Sequence, residues 1–182
     1  MWQMKKIKYN HMKKILFSLI SLLILVSTAL AQDDASTLTK VGQEAPAFRA
    51  TTVDGTVVDS RELKGKVIWI NFFATWCPPC KKELPVLEKN VMDKYRDNPD
   101  FVLVVLGREH SMEEMKEYAS DTGLRLPFAP DEGREIFSQY ATQSIPRNVI
   151  IGRDGLIAVQ SIGYTEADFA KLEKQLAGLL EK

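Results

Sequence analysis

The sequence predicts an α/β domain built around a central sheet. Two near-continuous apolar runs, within Lys66 to Ala74 and over Phe101 to Leu106, have the composition of strands that are buried on both faces. Helical periodicity covers the segment between them, from about Pro79 to Arg96. A strand, a helix and a second strand in this order predict a parallel βαβ unit with a right-handed crossover.

A short β-hairpin is predicted before this unit. Phe48 to Thr52 and Thr56 to Asp59 are β-like runs, and they flank Val53-Asp54-Gly55. Asp-Gly between two such runs is a hairpin turn signal. We therefore expect two short antiparallel strands at the start of the domain.

The segment from Glu109 to Gln143 resembles an insertion between the βαβ unit and the last strands. A capping box predicts a helix from Ser111 to about Asp121. A short strand is predicted at Leu126 to Ala129, and a helix capped by Asp131 is predicted to run through Tyr140. The insertion either covers the sheet or forms a surface that selects partners, and the sequence leaves both interpretations open.

A second hairpin and a helix complete the predicted domain. Val149 to Ile151 and Leu156 to Ile162 are apolar runs joined by a Gly- and Asp-containing turn. The last helix starts at Thr165, with Asp168 in the capping-box position.

The first 31 residues have the features of a Sec-type signal peptide. Five lysines and no acidic residue precede an apolar core from Ile15 to Val26, and Ala29-Leu30-Ala31 supplies the small-x-small cleavage pattern. The apolar core is short for a membrane span of about 20 residues, so secretion is favoured over an uncleaved anchor. Met12 begins a compact signal by itself, so Met1 and Met12 are both candidate starts. We expect a flexible leader at 32–40 and the folded domain at 41–182.

Removal of the signal changes the charge of the chain. The full sequence has 24 Lys+Arg and 24 Asp+Glu, and the signal holds five of the basic residues and none of the acidic ones. The mature chain therefore has 19 basic against 24 acidic residues, a net charge of −5. A mildly acidic chain does not resemble a nucleic-acid-binding protein. Export also places the cysteines in an oxidising compartment, where a dithiol stays reduced only while electrons are supplied.

Cys77-Pro78-Pro79-Cys80 contains the only two cysteines of the sequence. A disulfide that closes so short a ring stabilises a fold by roughly 2 kcal/mol, against about 3 kcal/mol for a loop of about fifteen residues. A zinc site needs about four ligands, and His11 and His110 are the only histidines. The pair therefore favours redox chemistry over an incidental disulfide or a metal site, and we expect no metal and no cofactor.

The position of the pair predicts different roles for the two cysteines. Cys77 lies at a helix N-terminus, where oriented N–H groups and the macrodipole lower a thiol pKa. Cys80 begins an apolar stripe of helical spacing, which continues through Leu84, Leu87, Val91 and Tyr95. We therefore expect an exposed Cys77 to act as the nucleophile and an inward-facing Cys80 to act as the resolving cysteine.

The residues around the pair are further candidates. Pro78 and Pro79 have no N–H to donate to the Cys77 sulfur, which favours the disulfide and makes the reduced protein a better electron donor. Glu83, three residues after Cys80, is either a proton-transfer group of raised pKa or a solvated helix charge.

Three other polar or aromatic residues flank the motif. Trp76 either shields the dithiol and forms part of a docking surface or is an ordinary core tryptophan. Asn71 is expected to point beneath the site, and His110 is expected to be a solvated loop residue.

The segment INFFATWCPPCKKELP, from Ile70 to Pro85, resembles the active-site segment of the thioredoxin superfamily. It is most similar to the extracytoplasmic TlpA/ResA-like thiol–disulfide oxidoreductases, a branch of the Redoxin and AhpC/TSA-like group. The resemblance covers about residues 41–180. Further support comes from Ala45-Pro46-Ala47-Phe48, from Lys64-Gly65-Lys66-Val67, and from Ile145-Pro146 at the position of the family's cis-proline.

The resemblance implies a thioredoxin-like fold, with a central mixed sheet of about five strands and helices on both faces. It implies that Trp76, Pro78, Pro79, Ile145 and Pro146 contact protein thiol or disulfide clients, with apocytochrome c among the candidates. It also implies a membrane reductase as electron donor, a periplasmic or other extracytoplasmic location, and action as a monomer without nucleic acid. A disulfide oxidant or isomerase and a redox-responsive binding or chaperone module remain alternatives.

The sequence departs from the family pattern at two places. Asn71 stands where cytoplasmic thioredoxins carry a buried aspartate, while Glu83 matches the acidic position of the TlpA/ResA-like branch. Arg147-Asn148 follows the proline in place of a small residue and an apolar run, and this departure bears on substrate preference more than on the fold.

Overall fold

The structure is a computed structural model that describes residues 34–181. The predicted signal peptide, residues 1–31, lies outside this range. The strands are β1 (Arg49–Thr51), β2 (Val57–Asp59), β3 (Val67–Phe73), β4 (Phe101–Arg108), β5 (Phe128–Asp131), β6 (Arg147–Ile151) and β7 (Ile157–Ile162). The helices are α1 (Pro78–Leu87), α2 (Asp93–Tyr95), α3 (Met112–Thr122), α4 (Phe137–Tyr140) and α5 (Glu166–Leu180), and a π-helical stretch, Glu88–Met92, joins α1 to α2.

The central sheet is mixed and has five strands in the order β5-β4-β3-β6-β7. β3 pairs in parallel with β4, and β4 pairs in parallel with β5. β6 runs antiparallel to both β3 and β7. The predicted βαβ unit and the C-terminal hairpin are therefore confirmed, and they share one sheet because β6 returns alongside β3.

Strand β3 lies at the centre of the sheet, and all seven of its residues are buried. Its side chains alternate between the two faces, as those of any strand do. Trp69 and Phe73 face a cluster that includes buried residues of α1, α3 and α5. Ile70 and Phe72 face a second cluster, with α4 and the hairpin of β1 and β2. Helices on both faces were predicted, and the structure confirms them.

Helix α1 presents the predicted apolar stripe to the first of these clusters. Cys80, Leu84, Leu87 and Val91 are fully buried, and Tyr95 packs against the same cluster. The helix begins at Pro78, one residue before the expected start. A proline fits this first turn because the N–H groups there have no partner within the helix.

The predicted insertion contains the expected elements, but one of them is much shorter. The capping box of α3 is present, since Ser111 and Glu114 each accept the other's backbone N–H, at 3.3 and 2.7 Å. The helix expected from Asp131 to Tyr140 is wrong in its first half, because Asp131 ends β5. Its carboxylate instead accepts the N–H groups of Ile136 and Phe137, at 3.0 and 2.8 Å, just before the four-residue α4.

The described part of the predicted flexible leader is anchored to the domain. Thr37 forms an antiparallel bridge with Ala141, and Leu38 donates its N–H to the Tyr140 carbonyl at 2.9 Å. The fully buried Arg147 donates to the hydroxyls of Thr37 and Ser36, at 2.8 and 2.9 Å. The prediction of a loose segment is therefore wrong here, because a guanidinium that follows Pro146 supplies donors to it.

Helix α5 starts as the sequence predicts. The Thr165 hydroxyl accepts the Asp168 N–H at 3.1 Å, and Phe169, Leu172 and Leu176 are buried beneath the helix. Within residues 34–181, no helix combines the length and the apolar character that a membrane crossing requires.

Candidate active site

The two cysteines form a disulfide at the start of α1. Cys77 is the N-cap residue, and its Sγ accepts the backbone N–H of Cys80 at 3.3 Å. Pro78 and Pro79 occupy the first two helical positions and have no N–H to donate. The sulfur of Cys77 thus lies at a helix N-terminus from which two of the usual donors are missing.

Both cysteines are buried in the oxidised protein. Cys80 is fully buried, as expected, but Cys77 is only 3% exposed. The expectation of an exposed Cys77 is therefore wrong for this oxidation state. The physical reason is that the disulfide joins its sulfur to Cys80, which faces the apolar cluster that contains both residues.

Trp76, like Pro78, is exposed at the site. More than half of its surface, 58%, is accessible, although it directly precedes a buried cysteine. The Arg108 guanidinium lies 5.4 Å from the centroid of its ring and 5.3 Å from that of Phe137. A cation over an aromatic ring stabilises the ring's position. The interpretation of Trp76 as a core residue is wrong, and its exposure is typical of a docking side chain.

Glu83 is buried on the helix that carries the dithiol, with 1% of its surface exposed. Asn71 donates its amide N–H to Oε2 at 2.9 Å, and Asn148 donates to Oε1 at 2.7 Å. Burial raises the pKa of Glu83 to about 7, and the two amide hydrogen bonds oppose this rise. The interpretation of Glu83 as a solvated helix charge is therefore wrong, and the carboxyl can gain or lose a proton near neutral pH.

The two asparagines are linked to each other and to a tryptophan. Asn71 and Asn148 are directly paired in the β3–β6 register, and Asn71 Nδ2 lies 2.8 Å from Asn148 Oδ1. The indole N–H of Trp69 donates to the same oxygen at 2.8 Å. The position predicted for Asn71, beneath the site, is confirmed. The sequence did not predict Trp69 or Asn148 as site residues. The one signal available for Asn148 was its position directly before a predicted apolar strand.

The Ile145–Pro146 peptide bond is cis, as the resemblance implies. Ile145 packs against the apolar cluster that includes Cys77 and Cys80. The Pro146 carbonyl accepts the Gly163 N–H at 2.8 Å, which ties the proline to the end of β7. The structure thus places Ile145 in the same cluster as the dithiol, although 65 residues separate it from Cys80 in the chain.

His110 is the second site residue that the sequence interpretation placed wrongly. It is 5% exposed, and its Nε2 accepts the backbone N–H of Thr75 at 3.1 Å. Its ring also lies 6.5 Å from that of Phe73. The residue before His110, Glu109, has a φ of 66°. The histidine therefore holds the segment that leads into Cys77.

The site offers no metal-binding arrangement in the part of the chain that the structure describes. Between residues 34 and 181, no three His, Cys, Asp or Glu side chains are grouped closely enough to hold an ion. The polar groups that the structure describes beneath the dithiol are the Glu83 carboxyl, the two amides and the Trp69 indole N–H, and they are hydrogen-bonded to one another.

A cysteine pair at the start of the helix after the central strand, with a buried carboxyl below it, defines a thioredoxin-like thiol–disulfide oxidoreductase. Residues 40–176 match the Redoxin family, and the chain belongs to that family. It is 33% identical over 174 residues to the thiol-disulfide oxidoreductase ResA of Bacillus anthracis. The aligned region covers 93% of this chain and 96% of that protein.

Solved structures show the same fold. A solution structure of a Bacteroides thetaiotaomicron protein matches with a TM-score of 0.77 and 37% identity, over 81% of this chain and 94% of that one. The crystal structure of a thiol:disulfide interchange protein of Chlorobium tepidum matches with a TM-score of 0.63 and 27% identity, over 78% of this chain and 98% of that one. The resemblance to the TlpA/ResA-like branch is thereby confirmed, and the protein is a thiol–disulfide oxidoreductase.

Proposed function

We propose that this protein reduces disulfide bonds in exported proteins through Cys77 and Cys80. The observation that carries the direction of electron flow is the hydrogen bonding of the Cys77 sulfur. It accepts one backbone N–H, from Cys80, because the two intervening residues are prolines. A thiolate with few donors is weakly stabilised, so the oxidised pair is favoured and the reduced pair gives up its electrons readily.

The proposed reaction has two exchange steps. The Cys77 thiolate attacks one sulfur of the client disulfide, a mixed disulfide forms, and the other client sulfur leaves as a thiolate. Cys80 then loses its proton and attacks the Cys77 sulfur, which releases the second client thiolate. The client gains two electrons and, once its thiolates are protonated, two protons, and the Cys77–Cys80 disulfide is restored.

Glu83 is proposed to accept the proton that Cys80 loses. Both residues are buried on α1, three positions apart, and a carboxyl with a pKa of about 7 is ionised in part at neutral pH. A group whose pKa is near the working pH is the most effective proton acceptor and donor. The carboxyl can return this proton to a leaving client thiolate.

The client is proposed to dock at the surface formed by Trp76, Pro78, Pro79 and Ile145, with Pro146 buried directly behind Ile145 in the chain. The exposure of Trp76 supports this surface, since a large aromatic ring next to a reactive cysteine offers contact area to a protein partner. The position of Ile145 against the dithiol's cluster supports it as well.

The proposed location is the periplasm or another extracytoplasmic compartment, after cleavage of the signal at residues 1–31. In an oxidising compartment the pair needs a continual supply of two electrons and two protons, which a membrane reductase would provide. Apocytochrome c with its cysteines joined in a disulfide is the client class that the family resemblance suggests, and the protein is proposed to act as a monomer.

The reduction potential of the pair at neutral pH tests this proposal, together with the rate of insulin reduction. We expect a potential close to thioredoxin's value of about −270 mV and turnover of insulin in the presence of a dithiol donor. A potential near the value of about −120 mV found for strong oxidants would instead indicate an oxidant or isomerase. Redox-dependent capture of partners without insulin turnover would indicate a binding or chaperone module.

A further inference from the structure

The orientation of the two buried amides beneath Glu83 is determined by Trp69. An indole N–H can only donate, so the Asn148 atom that lies 2.8 Å from it must be the amide oxygen. The NH₂ group of Asn148 then necessarily points the other way, towards Glu83 Oε1 at 2.7 Å. Trp69 therefore decides which end of the Asn148 amide the carboxyl meets.

The same constraint passes to Asn71. Its amide lies 2.8 Å from Asn148 Oδ1, an oxygen that is itself an acceptor, so the contacting atom of Asn71 must be Nδ2. This NH₂ group also reaches Glu83 Oε2 at 2.9 Å. The orientation has a cost, since Asn71 Oδ1 is left buried without a hydrogen-bond partner in residues 34–181.

We propose that Trp69 and Asn148 are positioning residues, which hold the Glu83 carboxyl between fixed N–H donors at both of its oxygens. Trp69 acts through Asn148, and Asn148 acts both directly on Oε1 and through Asn71 on Oε2. The consequence for catalysis rests on the proposed function of Glu83 in proton transfer, whereas the orientation itself does not.

The electrostatic effect of this arrangement is to favour the ionised carboxyl. Each oxygen of the carboxyl accepts an amide N–H, and each of these donors stabilises the carboxylate over the protonated form. The amides thereby oppose the effect of burial on the pKa. Burial and the charge of Glu166 raise the pKa of Tyr164, and the charge of Glu83 contributes to this rise, so Tyr164 is a titratable side chain outside the dithiol helix that interacts with this carboxyl.

The test compares Trp69→Phe, Asn148→Ala and the double variant with a control, Val149→Ala. Val149 is a fully buried β6 residue whose side chain faces the opposite cluster, so its truncation weakens packing of the same strand without touching the amides. The Glu83 carboxyl is titrated in the oxidised protein by infrared or carbon NMR spectroscopy, because the disulfide form has no titrating thiols. Insulin reduction is measured over the same pH range.

We expect the titration midpoint of Glu83 to rise by about one pH unit or more in Asn148→Ala, a tenfold change in its ionisation equilibrium. Trp69→Phe should raise it as well, since the Asn148 amide is then free to turn. Because Trp69 acts through Asn148, the double variant should shift the midpoint no further than Asn148→Ala alone. Val149→Ala should leave the midpoint unchanged.

Two results would overturn the inference. An unchanged Glu83 midpoint in Asn148→Ala would show that the amide does not set the carboxyl's ionisation. Additive shifts in the double variant would show that Trp69 does not act through Asn148. If the midpoint shifts as expected while the pH profile of insulin reduction does not follow it, the inference stands and the proposed proton-transfer role of Glu83 fails.

Discussion

The buried carboxyl of Glu83 predicts that this residue contributes less to the stability of the oxidised protein at neutral than at acidic pH, and that Glu83→Gln removes this contribution's dependence on pH. The pKa of Glu83 is higher in the folded protein than in the unfolded chain, so the folded protein binds the proton more tightly. Glu83 therefore stabilises the fold most fully below about pH 4.5, and this contribution is lost as the pH rises to about 7.

The magnitude follows from the difference between the two pKa values. Folding raises the pKa of Glu83 from its ordinary 4.5 to about 7. Each pH unit of difference corresponds to about 1.4 kcal/mol, so the contribution changes by about 3 kcal/mol across this range. With a urea m-value of about 2 kcal/mol per M, the unfolding midpoint changes by about 1.5 M.

Urea unfolding of the oxidised parent and of Glu83→Gln, at several pH values from 4 to 8, measures this effect. Other groups also titrate in this range, but their effects cancel in the difference between the two proteins. The introduced glutamine would place its NH₂ group against an N–H of Asn71 or Asn148, so we expect a further destabilisation of about 1–3 kcal/mol that does not depend on pH.

The expected result is that the stability of the parent relative to Glu83→Gln falls by about 3 kcal/mol between about pH 4.5 and 7 and is constant above that range. A difference that does not change with pH would refute the argument, since it would mean that folding leaves the Glu83 pKa unchanged. A difference that grows in the parent's favour with pH would show that the two amides outweigh burial.

Three further predictions concern the cysteines, the docking surface and export. Cys80→Ser should accumulate mixed disulfides through Cys77, and Cys77→Ser should accumulate none, because only the N-cap sulfur begins the exchange. Non-reducing gels measure this, and the reverse pattern would show that the two cysteines have the opposite roles. Trp76→Ala should slow insulin reduction several-fold and leave the reaction with a small disulfide unchanged, because the exposed ring contacts protein clients. An equal loss of rate with both substrates would contradict a docking role. The matched control is Val57→Ala, at an exposed position on β2. The mature protein should begin at Gln32, which intact mass can test, and uncleaved chain in washed membranes would contradict signal cleavage.

The sequence by itself predicted the elements whose causes are local. The apolar runs of β3 and β4 identify buried strands, and the capping residues Ser111 and Thr165 mark the starts of α3 and α5, because these interactions span a few neighbouring residues. The redox pair and the inward direction of Cys80 were predictable for the same reason, since helical periodicity orients every residue of α1. Where a short segment lacked such a signal, as in the turn between Asp131 and α4, the predicted helix was too long.

The environment of the dithiol was decided by the tertiary structure. Glu83 was predictable as a residue near the buried stripe, but its complete burial depends on amides that lie 12 and 65 residues away in the chain. The inward turn of His110 and the anchoring of Ser36 and Thr37 by Arg147 likewise depend on contacts between segments that are distant in the sequence.

The register of β6 on β3 is the feature that assembles this environment. It places Asn148 opposite Asn71 on the face that α1 covers, and it places Arg147 on the other face. A shift of one residue would reverse these faces, because side chains alternate along a strand. Residue identities alone do not specify this alignment. It depends on the packing of whole strands against both apolar clusters, and that packing brings two asparagines and a tryptophan to the carboxyl beneath the dithiol.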